Sequence, residues 1–206
     1  RYGMGIAAGD FDNDGRLDLY EANGRVGLQG ETFANDPYAE PNLLFRGVAG
    51  AKFEEVTPRG GTAAPLIATS RAAAFGDVDN DGGVDVLVAN RDAAPYLLRN
   101  VVPSRGHWAQ FAVKTAHGRD ALGARLAVTA GGRTWRRDVR SGYSYLAAND
   151  PRVHVGVGAA TAIEAVDVAW PGGAVERFGP FGVDAVVTLR QGSGTPRPAA
   201  APTAPR

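Results

Sequence analysis

The chain has 206 residues, room for one or two domains of about 150 residues each, and 44% hydrophobic against 21% charged residues is the composition of a globular chain, not a disordered one. It has no cysteine, which excludes disulfides and thiolate metal sites. Its 22 basic and 22 acidic residues give no net attraction to nucleic acid, and no run of 18 apolar residues offers a membrane span. The balance hides an asymmetry: residues 1–104 hold 15 acids and 9 bases, residues 105–192 hold 7 acids and 11 bases. The chain opens on Arg1 with no leader pattern, and we read it as a piece of a longer protein.

The first predicted strands, near 4–9 and 17–22, flank the loop D-F-D-N-D-G-R-L-D at 10–18. Leu17 and Leu19 alternate with other residues, which is strand periodicity. Two more strands are expected near 42–47 and 52–57, after a longer connection, 24–41, with turn signals at Asn35-Asp36-Pro37 and Pro41. The pattern then restarts. Strands near 71–76, 84–89 and 95–101 surround D-V-D-N-D-G-G-V-D at 77–85. At an offset of 67, Asp10, Asp12, Asn13, Asp14, Gly15 and Asp18 recur as Asp77, Asp79, Asn80, Asp81, Gly82 and Asp85, and the match extends to Gly9/Gly76, Ala22/Ala89 and Asn23/Asn90. Four short strands in a 67-residue period fit a propeller blade. Phe45, Phe53 and Phe75 are expected in the core.

Four carboxylates in nine residues call for a cation. At ~6 Å and an effective dielectric of ~20 each pair repels by roughly 3 kcal/mol, so six pairs sum to on the order of 10 kcal/mol or more, comparable with the ~5–15 kcal/mol stability of a whole domain. Aspartates at positions 1, 3 and 5, glycine at 6, a carbonyl at 7 and Asp18 or Asp85 at 9 follow the construction of a Ca²⁺ loop. An all-oxygen donor set favours a hard cation over zinc. The bland alternative is that Asp-Asn-Asp-Gly is turn chemistry; two copies with matched flanks weigh against it. Glu21 completes an EF-hand expression in the first loop, but Val88 breaks it in the second and the flanks are strands.

G-D-F-D-N-D-G-R-L-D-L and G-D-V-D-N-D-G-G-V-D-V resemble FG-GAP/VCBS repeats, and N-L-L-F-R and Y-L-L-R-N resemble the inner segments of such repeats. The resemblance implies a calcium-binding β-propeller, with Asp10, Asp12, Asp14 and Asp18, and Asp77, Asp79, Asp81 and Asp85, as ligands together with the carbonyls of Arg16 and Gly83. About one and a half blades, residues 1–103, cannot close a ring of 4–8; the rest is expected upstream or from another chain.

From His107 the pattern changes to apolar segments near 107–114, 124–130, 133–140, 152–157, 163–170, 174–178 and 184–190, with turn signals at Gly131-Gly132 and Pro171-Gly172-Gly173. That spacing predicts a small β-sandwich-like domain over 104–192, so the fold class is all-β: a partial propeller, then a sandwich. The strings G-A-R-L-A-V-T-A-G-G-R-T, R-S-G-Y-S-Y-L, H-V-G-V-G and V-D-V-A-W-P-G-G resemble the ASPIC/UnbV domain, which follows FG-GAP/VCBS repeats in cartilage-acidic-protein-like chains. The resemblance implies secretion and calcium but no reaction. Residues 193–206, rich in Pro, Ala and Thr, are expected to be disordered.

Trp135, Tyr143 and Tyr145, with Arg136, Arg137 and Arg140 nearby, form a candidate platform for stacking on sugars; the alternative is that Trp135 and Trp170 are core residues. Arg137 is expected to pair with Asp138 or Asp167 or to lie at a sheet edge. The nucleophile inventory is poor: none of Ser70, Ser104, Ser141, Ser144 and Ser193 sits in G-x-S-x-G, and His107, His117 and His154 form no metal-binding spacing. The expected function is therefore non-enzymatic: a calcium-binding protein, secreted, periplasmic or at the cell surface, serving adhesion or recognition of a protein or glycan. No nucleic-acid or membrane-spanning role is expected. The alternatives are a carbohydrate-binding accessory module and a fragment of an enzyme whose site lies in upstream blades.

Overall fold

The computed structural model describes residues 2–28, 35–57 and 59–198. They are all-β, with no α-helix among the described residues. The chain divides into two units, one of residues 1–105 and 141–150, the other of residues 106–140 and 151–206.

In the first unit, β1 (Gly3–Gly9), β2 (Asp18–Asn23), β4 (Leu43–Val48) and β5 (Lys52–Glu55) form an antiparallel four-stranded sheet in that order. Between them in sequence, β3 (Glu40–Pro41) pairs with β6 (Ile67–Ala68). The second copy builds a three-stranded sheet from β7 (Ser70–Gly76), β8 (Asp85–Asn90) and β9 (Tyr96–Leu98). The two sheets pack through one face of each. Period-two alternation puts Ala7, Tyr20 and Ala22 of the first against Ala73, Phe75, Val86 and Val88 of the second, all buried in one cluster. Phe11 and Tyr20 both meet the Phe75 ring at 6.3 Å between centroids. Glycine permits the close approach: a Cβ on Gly5 would stand 2.7 Å from the Ala73 nitrogen. Phe53, expected in the core, is instead 47% exposed on an edge strand. Among the described residues no closed propeller ring is present.

In the second unit, β10 (His107–Lys114) lies between β13 (Val153–Gly158), antiparallel, and β18 (Ala185–Arg190), parallel. A five-stranded sheet runs in the order β12 (Arg133–Asp138), β11 (Arg125–Ala130), β15 (Ala165–Ala169), β16 (Val175–Phe178), β19 (Thr195–Arg197). A short pair, β14 (Ala162–Ile163) with β17 (Phe181–Gly182), completes the unit. The two larger sheets share one core: Phe111, Val113, Val155 and Leu189 from the first pack with Leu126, Val128, Trp135, Val166 and Val168 from the second. This is the layered all-β arrangement that the apolar segments announce.

Two boundaries differ from the sequence reading. Ser141–Asp150, expected inside the second domain, belongs to the first unit. There the Phe75 N–H donates to Asn149 Oδ1 at 2.8 Å and the Asp150 N–H donates to the Phe75 carbonyl at 3.0 Å, which covers the free edge of β7. The tail is not wholly disordered: Thr195–Arg197 extends the five-stranded sheet by pairing with Val175–Arg177. The rest of the predicted disordered tail, from 199, lies outside the described residues.

Candidate metal centres

The two Asp loops share one backbone turn, and the reason is local. Asn13 and Asn80 take left-handed φ values of 57° and 59°, and Gly15 and Gly82 follow at 85° and 83°. Asparagine and glycine tolerate that region best. The turn aims successive N–H groups at the first aspartate. Asp14 N donates to Asp10 Oδ1 at 3.1 Å and Gly15 N to Oδ2 at 2.9 Å; Asp81 N and Gly82 N do the same to Asp77 at 3.1 and 3.0 Å. The last aspartate ties the loop to the sheet. Asp18 accepts from Phe11 N at 2.8 Å and Gly47 N at 2.7 Å; Asp85 accepts from Val78 N at 2.9 Å and Asn100 N at 2.8 Å.

In each copy three carboxylates converge. Asp10, Asp12 and Asp18 bring one oxygen each within 4.8 Å of one another, and so do Asp77, Asp79 and Asp85. Asp10, Asp18, Asp77 and Asp85 are at most 3% exposed. Burial pushes the Asp10 carboxyl up to about 7 against the pull of the Gly15 N–H, with the Asp18, Asp14 and Asp12 charges adding to the rise. Burial likewise raises Asp18 and Asp77, opposed by their backbone donors. A cation among these oxygens would reverse that cost.

Asp14 and Asp81 are not part of either trio. Their short side chains turn back on the loop: Asp14 accepts from Arg16 N at 2.8 Å and pairs with the Arg16 guanidinium, while Asp81 accepts from Gly83 N at 2.7 Å and pairs with Arg105 at 3.1 Å. The N–H groups of Arg16 and Gly83, the residues whose carbonyls are expected ligands, bond to Asp14 and Asp81.

Sequence reasoning missed two contributors. Arg46 Nε lies 2.8 Å from Asp12 Oδ2, and Arg99 pairs with Asp79 Oδ2. It also missed the links between loops. Asn13 Nδ2, fully buried, donates to the Gly82 carbonyl at 3.0 Å, and Asn100 Nδ2 donates to the Phe11 carbonyl at 2.8 Å. Nothing in the sequence pointed to either link, since the repeated Asn13 and Asn80 answer to the left-handed turn.

The donor set fits a hard divalent cation. All the converging atoms are oxygens. Two oxygens in the first loop, Asp12 Oδ1 and Asn13 Oδ1, are buried with no hydrogen-bond partner among the described residues. Such orphans are costly unless something coordinates them.

The candidate sugar platform does not form. Trp135 is 6% exposed, inside the core of the second unit, with the Arg133 guanidinium 4.9 Å above its ring. It cannot offer a face to a sugar. Tyr143 and Tyr145 belong to the first unit, where Tyr143 packs on the core and Tyr145 is exposed. Arg137 stands on the edge strand β12, and Asp167 is taken by Arg177 at 2.6 and 2.7 Å. Ser144 hydrogen-bonds Asn149, and His154 stacks on Trp108 at 6.2 Å.

Fold and site define a class: an all-β chain with a duplicated acidic loop in its first unit and a layered β-unit after it. Residues 114–196 match the family model described as ASPIC and UnbV. Over 180 residues the chain is 27% identical to cartilage acidic protein 1 of Xenopus tropicalis, across 82% of this chain and 26% of that protein. Over 178 residues it is 26% identical to cartilage acidic protein 1 of Mus musculus, across 82% of this chain and 25% of that protein. The chain thus spans about a quarter of the length of the curated relatives it matches. No helix among the described residues is long and apolar enough to cross a membrane.

Proposed function

We propose that this chain is the calcium-binding, non-enzymatic part of a secreted, periplasmic or cell-surface protein that serves adhesion or recognition of a protein or glycan. The observation that carries the calcium reading is the duplication of one complete loop network. In both copies backbone donors fix the first and last aspartates, and in the first copy Asp12 Oδ1 and Asn13 Oδ1 remain buried and unpartnered. A Ca²⁺ ion supplies positive charge and takes 6–8 oxygens in loose geometry, whereas Mg²⁺ accepts fewer carboxylates and keeps its waters. Extracellular placement is supported by the likeness to cartilage acidic protein 1.

The loops are read as FG-GAP/VCBS repeats of a propeller with further blades elsewhere. Supporting this, residues equivalent across the 67-residue offset differ in exposure. Tyr20 of the first copy is 2% exposed beneath the second sheet, while its counterpart Leu87 is 48% exposed; Ala73 is fully buried while its counterpart Ile6 is 49% exposed. Each sheet thus carries on its outer face the surface that its neighbour uses for packing.

The test is thermal unfolding of the protein in EDTA, in Ca²⁺ and in Mg²⁺. A ligand that binds only the folded form at 100 times its Kd adds about 2.7 kcal/mol per site. A rise specific to Ca²⁺, reduced by Asp12→Ala and by Asp79→Ala, supports the reading. Equal curves in EDTA and Ca²⁺ overturn it.

A further inference from the structure

We propose that Arg46 and Arg99 are the positioning residues of the two metal loops: each holds one oxygen of the central aspartate and so turns the other toward the cation. This rests on the calcium reading above. The register establishes that the two arginines are equivalent. Leu19 pairs with Phe45 and Val86 with Leu98. Leu19 and Val86 are themselves counterparts at offset 67. Arg46, within β4, and Arg99, directly after β9, therefore occupy the same place, one residue further along, beside the last aspartate of each loop. The next residues agree, because Gly47 N and Asn100 N make the same bond to Asp18 and Asp85.

At the first loop the two oxygens of Asp12 are distinguished. Oδ2 forms an ion pair with Arg46, 2.8 Å from its Nε, and Oδ1 is buried without a partner. At the second loop Arg99 pairs with Oδ2 of Asp79, through Nη2 rather than Nε. Asp12 and Asp79 are the trio members for which no backbone donor is found among the described hydrogen bonds, unlike Asp10, Asp18, Asp77 and Asp85. Without the arginine the central carboxylate would be free to rotate about its last bond and to turn outward. A partner that fixes the second atom of a ligand typically changes metal affinity by about 10–100-fold. The rival physical reading is that the guanidinium competes with the cation, in which case its removal would strengthen binding.

The experiment is calorimetric titration of the protein with CaCl₂, comparing wild type with Arg46→Ala, Arg99→Ala and Arg46→Lys, and near-ultraviolet circular dichroism of each in EDTA. Expected are two uptake steps in wild type, one of them weakened about tenfold or more by Arg46→Ala and the other by Arg99→Ala. Arg46→Lys, which keeps a charged donor, should recover most of the loss. A merely structural role would lower both steps together and alter the dichroism. If Arg46→Ala alters the dichroism, Arg46→Lys and Arg46→Gln replace it, with the glutamine weaker at one step only. Unchanged or tightened binding in Arg46→Ala and Arg99→Ala overturns the positioning role and leaves the calcium sites standing. Absence of Ca²⁺ uptake in wild type overturns the sites and this inference with them.

Discussion

Asp18→Ala isolates what the last aspartate of a loop does before any ion is bound. Asp18 is 3% exposed, and its two oxygens accept from Phe11 N at 2.8 Å and Gly47 N at 2.7 Å, tying the start of the loop to strand β4. Truncation leaves both N–H groups in a buried place, and each such orphan costs about 1–3 kcal/mol. Against this, the mutation removes a buried carboxylate whose pKa burial has raised, so part of its charge cost is recovered. The net expectation is a loss of about 2–4 kcal/mol in EDTA, a large part of a domain's ~5–15 kcal/mol. Asp18→Asn keeps one acceptor and sheds the charge, so it should lose less, about 1–2 kcal/mol. Urea unfolding followed by near-ultraviolet circular dichroism measures both. A change under 0.5 kcal/mol for Asp18→Ala, roughly the size of a neutral surface substitution, would refute the clamp.

Asn13→Ala removes the bond to the Gly82 carbonyl and puts alanine at φ 57°, so metal-free stability should fall by about 1–3 kcal/mol and the two Ca²⁺ steps should respond to each other less. With its folded pKa of about 7 above the usual 3.8, Asp10 favours the folded metal-free state fully below about pH 3.8 and loses that contribution as pH rises through 7. Unfolding in EDTA at pH 5 and pH 8 should show the difference, and Asp10→Asn should flatten it; the apparent Ca²⁺ affinity should weaken below pH 7. Trp135→Ala should cost about 3–5 kcal/mol by emptying a core position, seen in thermal unfolding, and should leave binding on a glycan array no different from that of an equally destabilised core variant. Gly5→Val forces a side chain toward the Ala73 nitrogen and should destabilise the first unit by about 1–3 kcal/mol or more, read by urea unfolding.

Most strands were legible because their period-two patterns are bounded by glycine and proline: the expected 71–76 and 107–114 are Ser70–Gly76 and His107–Lys114. The acidic trios were legible because the loop repeats its own residues. Arg46 and Arg99 were not, because the connection after β2 is longer than that after β8, so the arginines stand 53 residues apart while the loops stand 67 apart. Only strand register restores the match. Asp14 and Asp81 share the spacing of a ligand, and their ion pairs with Arg16 and Arg105 were not legible in that spacing. Trp135 looked available because arginines surround it in sequence; on β12 alternate side chains face opposite ways, and the tryptophan faces Val128 and the core. Composition misjudged Thr195–Arg197, since any extended segment can complete a free sheet edge.

Equilibrium dialysis with a count of bound ions decides whether one chain holds two calcium sites. Two Ca²⁺ per chain are expected in the presence of excess Mg²⁺, one in Asp12→Ala or Asp79→Ala, and none in the double variant. No bound Ca²⁺, or two ions displaced by Mg²⁺ at equal concentration, would contradict it.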